Sequence, residues 1–458
     1  MGIATTTSDG LLHFDLTITK FFLASITLLA PLTAVKVYNV TFAEIFSLLS
    51  FGIIGAAVLH NRLHISGNHD VIRLLRLYSL FLTVVAALAI FALRLPTFPI
   101  PGTSILKHAP FLSLARLLQF IIVIGCFILT TNLLTARRSL IPLICQCYVY
   151  GGVISCVYGI LSLIALHAGI HLGGVHIGGE FGQTHRIQGF FVEGGPFGVY
   201  LVSVILVCMF RRNVIHRGDP RAYWVQMILF VATLASAESK AGILLGMTVV
   251  LYFLFVTKRL RYAFWIAPLL IALALFAHLM TDLRGYASDY LNVTKLAREN
   301  PYDPNIVEGR VMAAVLVPIM VAHHPIAGIG IGNYSLERNN PKFLGTLPPA
   351  PGWDLPGLGL LGYAASLGIP LLIYLYWLLW RPVRISRRMG APPLAIALAA
   401  YQTFAGTLGA QPTFIYPWIV SAIALGYSLS LRAPGPEVPS ESCRRPEDTA
   451  RCSEFGTE

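Results

Sequence analysis

The chain has 458 residues, of which 56% are hydrophobic and only 12% charged, with a mean hydropathy of +0.70. A soluble domain carries roughly 25% charged residues, so the composition excludes a water-soluble globular protein and predicts an all-α integral membrane protein. The net charge of +12 is not read as a nucleic-acid footprint, because its arginines gather in short loops between apolar segments, where they set orientation.

A membrane-crossing helix needs about 20 mostly apolar residues. About twelve such segments are predicted, near 18–36, 42–60, 73–93, 112–134, 141–166, 194–210, 223–237, 241–257, 262–281, 355–380, 392–409 and 414–431. The first fifteen residues lack a basic region and no small-residue cleavage site follows, so no cleavable signal peptide is expected. The linkers "HNRLHISGNHDVIR", "TARRSL", "RRNVIHRGDPRA", "TKRLRY" and "RPVRISRRMG" fall on one side if the spans alternate. Short basic loops stay cytoplasmic, which places both termini inside.

Two long stretches then lie outside, at about 168–195 and 282–354. Loops of that length are usually functional or disordered. The second holds a predicted helix near 306–322 and several aromatic residues, so a helical cap over the membrane is expected. Five cysteines (Cys126, Cys145, Cys147, Cys156, Cys208) fall in predicted spans and two (Cys443, Cys452) in the tail, so no structural disulfide is expected. Residues 1–432 read as one polytopic domain. Residues 433–458 are polar and proline-rich and read as a disordered cytoplasmic tail, whose last residues, "EFGTE", look like a cloning scar.

Ionisable residues near spans carry a functional expectation by default. Arg186 stands in "THRIQGFFVEGGPFGVYL", with His185, Gln188 and Glu193 on the same turn. Its guanidinium suits phosphate oxygens, and the following helix start offers free amides; snorkelling to lipid headgroups is the plainer reading. Lys240 in "ASAESKAGILL" opens the next outside-facing helix, or simply pairs with Glu238. The long loop supplies Arg284, Lys295, Arg298 and Arg310, and its Tyr286, Tyr290, Tyr302 and Trp353 fit an interfacial aromatic belt or a sugar platform.

The stretch "HHPIAGIGIGNY", His323 to Tyr334, is the least ordinary. Imidazole accepts and returns protons near neutrality. Adjacent helical residues point about 100° apart, so one histidine at most faces a given site. Pro325 stops the helix. The glycines let the backbone approach something closely, and their period of two also suits a short strand. Paired neighbours lack the HExxH spacing of a metal site, so no metal is expected.

These residues resemble the O-antigen ligase and polymerase superfamily. "EGRVMAAVLVPIMVAHHPIAGIGIGNY" is similar to its signature region, an Arg followed one apolar helix later by His-Pro and a GxGxGNY/F turn. "HRIQGFFVEGGPFGVYL" resembles its R-x-x-G-x-F segment, and "SAESKAGILLG" its S-R/K-x-G turn. The closer resemblance covers roughly 185–335. Lys240 stands where arginine is common, and Gly195 where many members carry Asn.

The resemblance implies a membrane-embedded, inverting, metal-independent glycosyltransferase without cofactor, acting at the periplasmic face of a bacterial inner membrane and functional as a monomer among membrane lipids. Its donor is a polysaccharide on undecaprenyl pyrophosphate; a ligase takes lipid A–core oligosaccharide as acceptor, whereas a polymerase takes another undecaprenyl-linked repeat. On that reading His324 is the general base, with His323 as the substitute, and Arg186 meets the pyrophosphate. Arg310 and His324 share a helix face but stand about 21 Å apart along it, so they do not touch one leaving group. Arg284, at the exit of the ninth predicted span, ranks beside Arg186. Arg310, His323, Lys240, His185, Gln188, Asn333 and Tyr334 are the expected substrate-binding residues. A secondary transporter is the remaining alternative, which predicts related halves with broken helices; no motif repeats between the halves.

Overall fold

The computed structural model describes residues 6–33, 36–37, 40–41, 68–92, 111–177, 185–258, 310–345 and 358–431, with a few isolated positions besides. Its main elements are helices α1 (Thr6–Leu29), α2 (His69–Ala92), α3 (Phe111–Ala136), α4 (Ile141–His167), α5 (Gly194–Asn213), α6 (Pro220–Ser236), α7 (Lys240–Val256), α8 (Arg310–His323), α9 (Tyr334–Arg338), α10 (Pro341–Leu344), α11 (Gly359–Leu379), α12 (Arg381–Arg388), α13 (Pro393–Thr407) and α14 (Ile415–Ser430). Two short antiparallel hairpins complete it: β1 (Lys36–Val37) with β2 (Val40–Thr41), and β3 (Val175–Ile177) with β4 (His185–Ile187).

The chain is thus mostly helical. Among the described residues, five helical segments are long and apolar enough to cross a membrane: His69–Phe91, Phe111–Ala136, Arg138–His167, Gly194–Asn213 and Gly359–Arg388. Helices stand at all the predicted spans except two. Of 42–60 only isolated positions are described, and 262–281 lies outside the described residues. The helix expected near 306–322 is present as α8.

The core is built around α14, whose residues are buried along its whole length. Trp418 sits at its centre, with its ring 5.9 Å from that of Tyr78 on α2 and 5.8 Å from that of Phe127 on α3. In lipid, helices associate through close packing of small residues rather than through water exclusion. Gly426 admits Leu134 in this way: a Cβ there would stand 2.6 Å from the leucine Cβ. Outward, Trp224, Val225 and Ile228 of α6 are exposed, as a face turned to hydrocarbon requires.

The α5–α7 crossing fixes the site described next. A Cβ on Gly242 would meet the Gly198 carbonyl carbon at 2.7 Å, so only glycine permits the two backbones to lie this close. Tyr401 on α13 donates to the carbonyl of Val199 at 2.6 Å, which anchors the crossing to the centre of the bundle.

Candidate functional site: an apolar cavity flanked by an arginine and a histidine turn

The β3–β4 hairpin packs against α4 and α6, beside the start of α5. His176 stands opposite Arg186 in its register. Arg186 Nε donates to Glu238 Oε2 at 3.1 Å, with both side chains substantially exposed (39% and 50%). Glu238 adopts φ 48°, a left-handed conformation that turns the chain between α6 and α7. Ser239 then caps α7: its Oγ accepts from the Gly242 N–H at 3.0 Å and donates to the Gly195 carbonyl at 2.8 Å. The two sequence motifs "RIQGFFVEGG" and "ESKAG" are therefore bonded together side by side.

Gln188 Nε2 donates to the Gly173 carbonyl at 2.8 Å. Its Oε1 is buried without a hydrogen-bond partner among the described residues. His185 stands with its ring 6.3 Å from that of His167, at the end of α4. Both residues brace the hairpin.

Beside this corner lies a cavity of about 600 Å³, lined by Pro196 and Val199 of α5, Ala241 of α7, Val317 and Val321 of α8, and Leu361 of α11, among others. Its α8 members recur at three- and four-residue spacing and form one helix face. All three sequence motifs thus contribute to one apolar space at one end of the bundle. His324 follows Val321 on the adjoining turn.

α8 ends at His323, and both imidazoles meet Phe343 of α10 edge-on, at 5.5 Å for His323 and 6.0 Å for His324. His323 Nδ1 is engaged by the Ile319 carbonyl at 2.9 Å, one turn back. His324 is half-buried and is held below the ordinary histidine range, first by burial and then by the positive charges of Lys342 and His323. Its neutral form is therefore favoured, as a proton acceptor needs to be.

The glycine run explains itself only in three dimensions. α11 is interrupted at Gly368 (φ 73°, ψ 168°), two residues before Pro370. In an unbroken helix the Ala365 carbonyl would take the Ile369 N–H, while Ser366 would lack a partner because Pro370 has no N–H. Instead Ala365 accepts from the Ile329 N–H at 2.8 Å and Ser366 from the Gly330 N–H at 3.1 Å, while the Ile369 N–H goes to Pro325 at 2.8 Å. Gly328, Gly330 and Gly332 all have positive φ (63°, 89° and 80°). The short strand that their period of two allowed is not formed: the segment coils and lays its amides on the broken helix. At Gly328 a Cβ would stand 2.5 Å from the Ser366 oxygen.

Asn333 and Tyr334, expected at the substrate, are both buried. Asn333 Oδ1 accepts from Ser113 Oγ at 2.9 Å and its Nδ2 donates to the Ile329 carbonyl at 3.0 Å. This ties the glycine turn to the start of α3. Burial pushes the Tyr334 hydroxyl up to about 12. Burial also raises Glu337, whose Oε2 accepts from Asn340 Nδ2 at 2.8 Å. Arg310 opens α8, but its side chain is outside the described residues, as are Arg284 and Arg298 altogether. Lys295 forms an exposed ion pair with Glu299 at 3.8 Å.

Three contributors escaped the sequence reading. Glu238 is expected at most as a partner of Lys240, and it engages Arg186. Phe343 carried no signal beyond being aromatic. The break in α11 had a signal in "LGIP", a glycine two residues ahead of a proline inside an apolar segment. In comparisons with known proteins, no family model and no curated protein matches the chain.

Proposed function

We propose that the chain is a membrane-embedded glycosyltransferase of the O-antigen ligase type, with the twelve-span plan and periplasmic site expected from its sequence. It moves a polysaccharide from undecaprenyl pyrophosphate to a sugar hydroxyl of lipid A–core oligosaccharide. The observation that carries this reading is the convergence of three separate motifs on one apolar cavity, with an exposed guanidinium at one edge and a neutral-leaning imidazole on the next turn. A lipid-linked donor needs that combination: apolar walls for the chain and cations for its phosphates.

The chemistry is a displacement at the anomeric carbon. The acceptor hydroxyl oxygen forms the new glycosidic bond, its proton passes to His324, and the bond to the pyrophosphate oxygen breaks with inversion. Charge developing on the leaving pyrophosphate calls for a preplaced cation. Arg186 fills that role by exchanging Glu238 for phosphate oxygens. Arg284 and Arg310 remain the further cations of the reading, and His323, held by Ile319, is the substitute base.

The test is transfer by purified protein in detergent with chelator present, using undecaprenyl-pyrophosphate-linked glycan as donor and lipid A–core or a second donor as acceptor. Product on lipid A–core that is lost in His324→Ala and kept in His323→Ala supports the ligase. Product on the second donor alone makes the protein a polymerase. No transfer to either acceptor overturns the glycosyltransferase reading.

The interrupted α11 is the one feature that favours a transporter, where broken helices leave backbone groups free for ions. Here the carbonyls of Ala365 and Ser366 and the amide of Ile369 are bonded to residues 325–330, so the protein's own backbone bridges the break. The transferase reading is therefore preferred.

A further inference from the structure

The other end of the bundle carries arginines that do more than set orientation. α11 runs on into α12, and Ile373, Trp377 and Arg381 recur every four residues, so they share one face. Ile373 is 63% exposed. The Arg381 guanidinium lies over the Trp377 ring at 4.2 Å. α2 packs alongside: Tyr374 donates to the Leu77 carbonyl at 3.2 Å, and its ring stands 6.4 Å from that of Phe81. At the start of α2, Arg73 stands beside the exposed Ile72 and Leu75.

The charges here do not balance. Arg73, Arg384 and Arg388 all act on Arg381, and among the described residues Asp70 is the one carboxylate that opposes them. Asp70 is engaged by Arg388 at 2.6 Å. Arg381 Nε is buried without a hydrogen-bond partner among the described residues. Gathering like charges costs free energy, and a donor withdrawn from water without an acceptor adds to that cost. An anion settled among the guanidiniums relieves that repulsion. The exposed apolar residues on both helices beside it identify the anion as the head of a lipid, since a free phosphate gains nothing from them.

We propose that Arg73, Arg381 and Arg384 hold the headgroup phosphate of an anionic phospholipid, whose acyl chains lie along Ile72, Leu75 and Ile373 between α2 and α11. The site stands apart from the transfer reaction and does not depend on it.

Native mass spectrometry tests this on the full chain released from nanodiscs of mixed phosphatidylcholine and phosphatidylglycerol. The wild type is expected to retain phosphatidylglycerol in preference to phosphatidylcholine. Arg381→Gln with Arg384→Gln should weaken that retention about 10- to 30-fold, at the usual worth of each basic residue near an anionic surface. Arg384→Gln alone, at an exposed position, guards against a folding defect and should lose about 5-fold. The exposed pair Arg217→Gln and Arg221→Gln, also in a basic turn, should change nothing. Equal losses from both pairs would reduce the site to diffuse charge and overturn the proposal. So would thermal stabilisation by inorganic phosphate equal to that from phosphatidylglycerol, which would make the ligand a free anion.

Discussion

Ile329 donates its backbone N–H to the carbonyl of Ala365 at 2.8 Å, which joins the turn after the histidines to the gap in α11. Each strained segment satisfies the other. The glycine run supplies amides that reach across, and the break at Gly368 exposes the carbonyls that receive them. His324 is thereby fixed at the end of a helix whose next residues are clamped to a neighbour. For the base proposed above, being held in one place is what a proton transfer in a crowded site requires.

That clamp predicts a steep cost for side chains at its crossing. Gly328→Ala must hold φ 63° and place a methyl 2.5 Å from the Ser366 oxygen. Backbone strain of this kind costs about 1–3 kcal/mol before the collision is counted. Gly390→Ala is the control, with φ 68° but open space around it, and should cost only about 1–2 kcal/mol. Thermal unfolding in detergent separates the two. Equal melting shifts would mean that the close approach carries no energy.

A second prediction concerns Asn333. Truncation to alanine leaves Ser113 Oγ and the Ile329 carbonyl without their partner inside the protein, at about 1–3 kcal/mol. The expected result is a lowered melting temperature, with the loss shared by Ser113→Ala. Were Asn333 instead a substrate contact, KM would rise while melting stayed put.

Much of this was legible in the sequence, and the reasons are physical. Apolar length marks a helix in lipid because every backbone group must be satisfied within the segment; thus α2, α3, α4, α5 and α11 stood out. The histidine–glycine turn stood out because glycine surrenders packing only for a backbone purpose. That purpose was hidden, since Ile329 and Ala365 meet across 36 residues of sequence and proline is tolerated within membrane helices. The alternatives for Glu238 were equally hidden, because Lys240 is near in sequence and Arg186 only in space. Asn333 shows the converse: a polar residue in a motif suggests substrate, and the fold also uses it to tie α3 to the turn.

If His324 is the proposed base, it sets the pH dependence of transfer. Burial first, then Lys342 and His323, hold its pKa below the ordinary histidine value of 6.5. A base works when neutral, so the rate should be level above pH 6.5 and fall as pH drops through the lowered value. Lys342→Gln removes one of the lowering charges, so its acid limb should move to higher pH. The linked stability has the same sense. The unfolded chain protonates this histidine at higher pH than the folded one does, so stability falls as pH drops through 6.5 toward the folded value. A rate profile unmoved by Lys342→Gln would assign the limb to another group.

The Arg186–Glu238 pair predicts a separation of stability from function. Both side chains are well exposed, and such pairs contribute less than about 1 kcal/mol, so Glu238→Gln should leave the melting temperature nearly unchanged. Its effect belongs to the donor. On the proposed reading Glu238 competes with the pyrophosphate for the same guanidinium, so neutralising it should lower the donor KM and leave kcat little altered. Arg186→Lys keeps the charge but loses the planar fork that spans two phosphate oxygens, and it should weaken donor use about tenfold or more. Steady-state transfer at varied donor concentration distinguishes the cases. A raised donor KM in Glu238→Gln would mean that the carboxylate orients Arg186 toward the phosphate instead of competing with it, and the exchange step proposed for this corner would have to be given up.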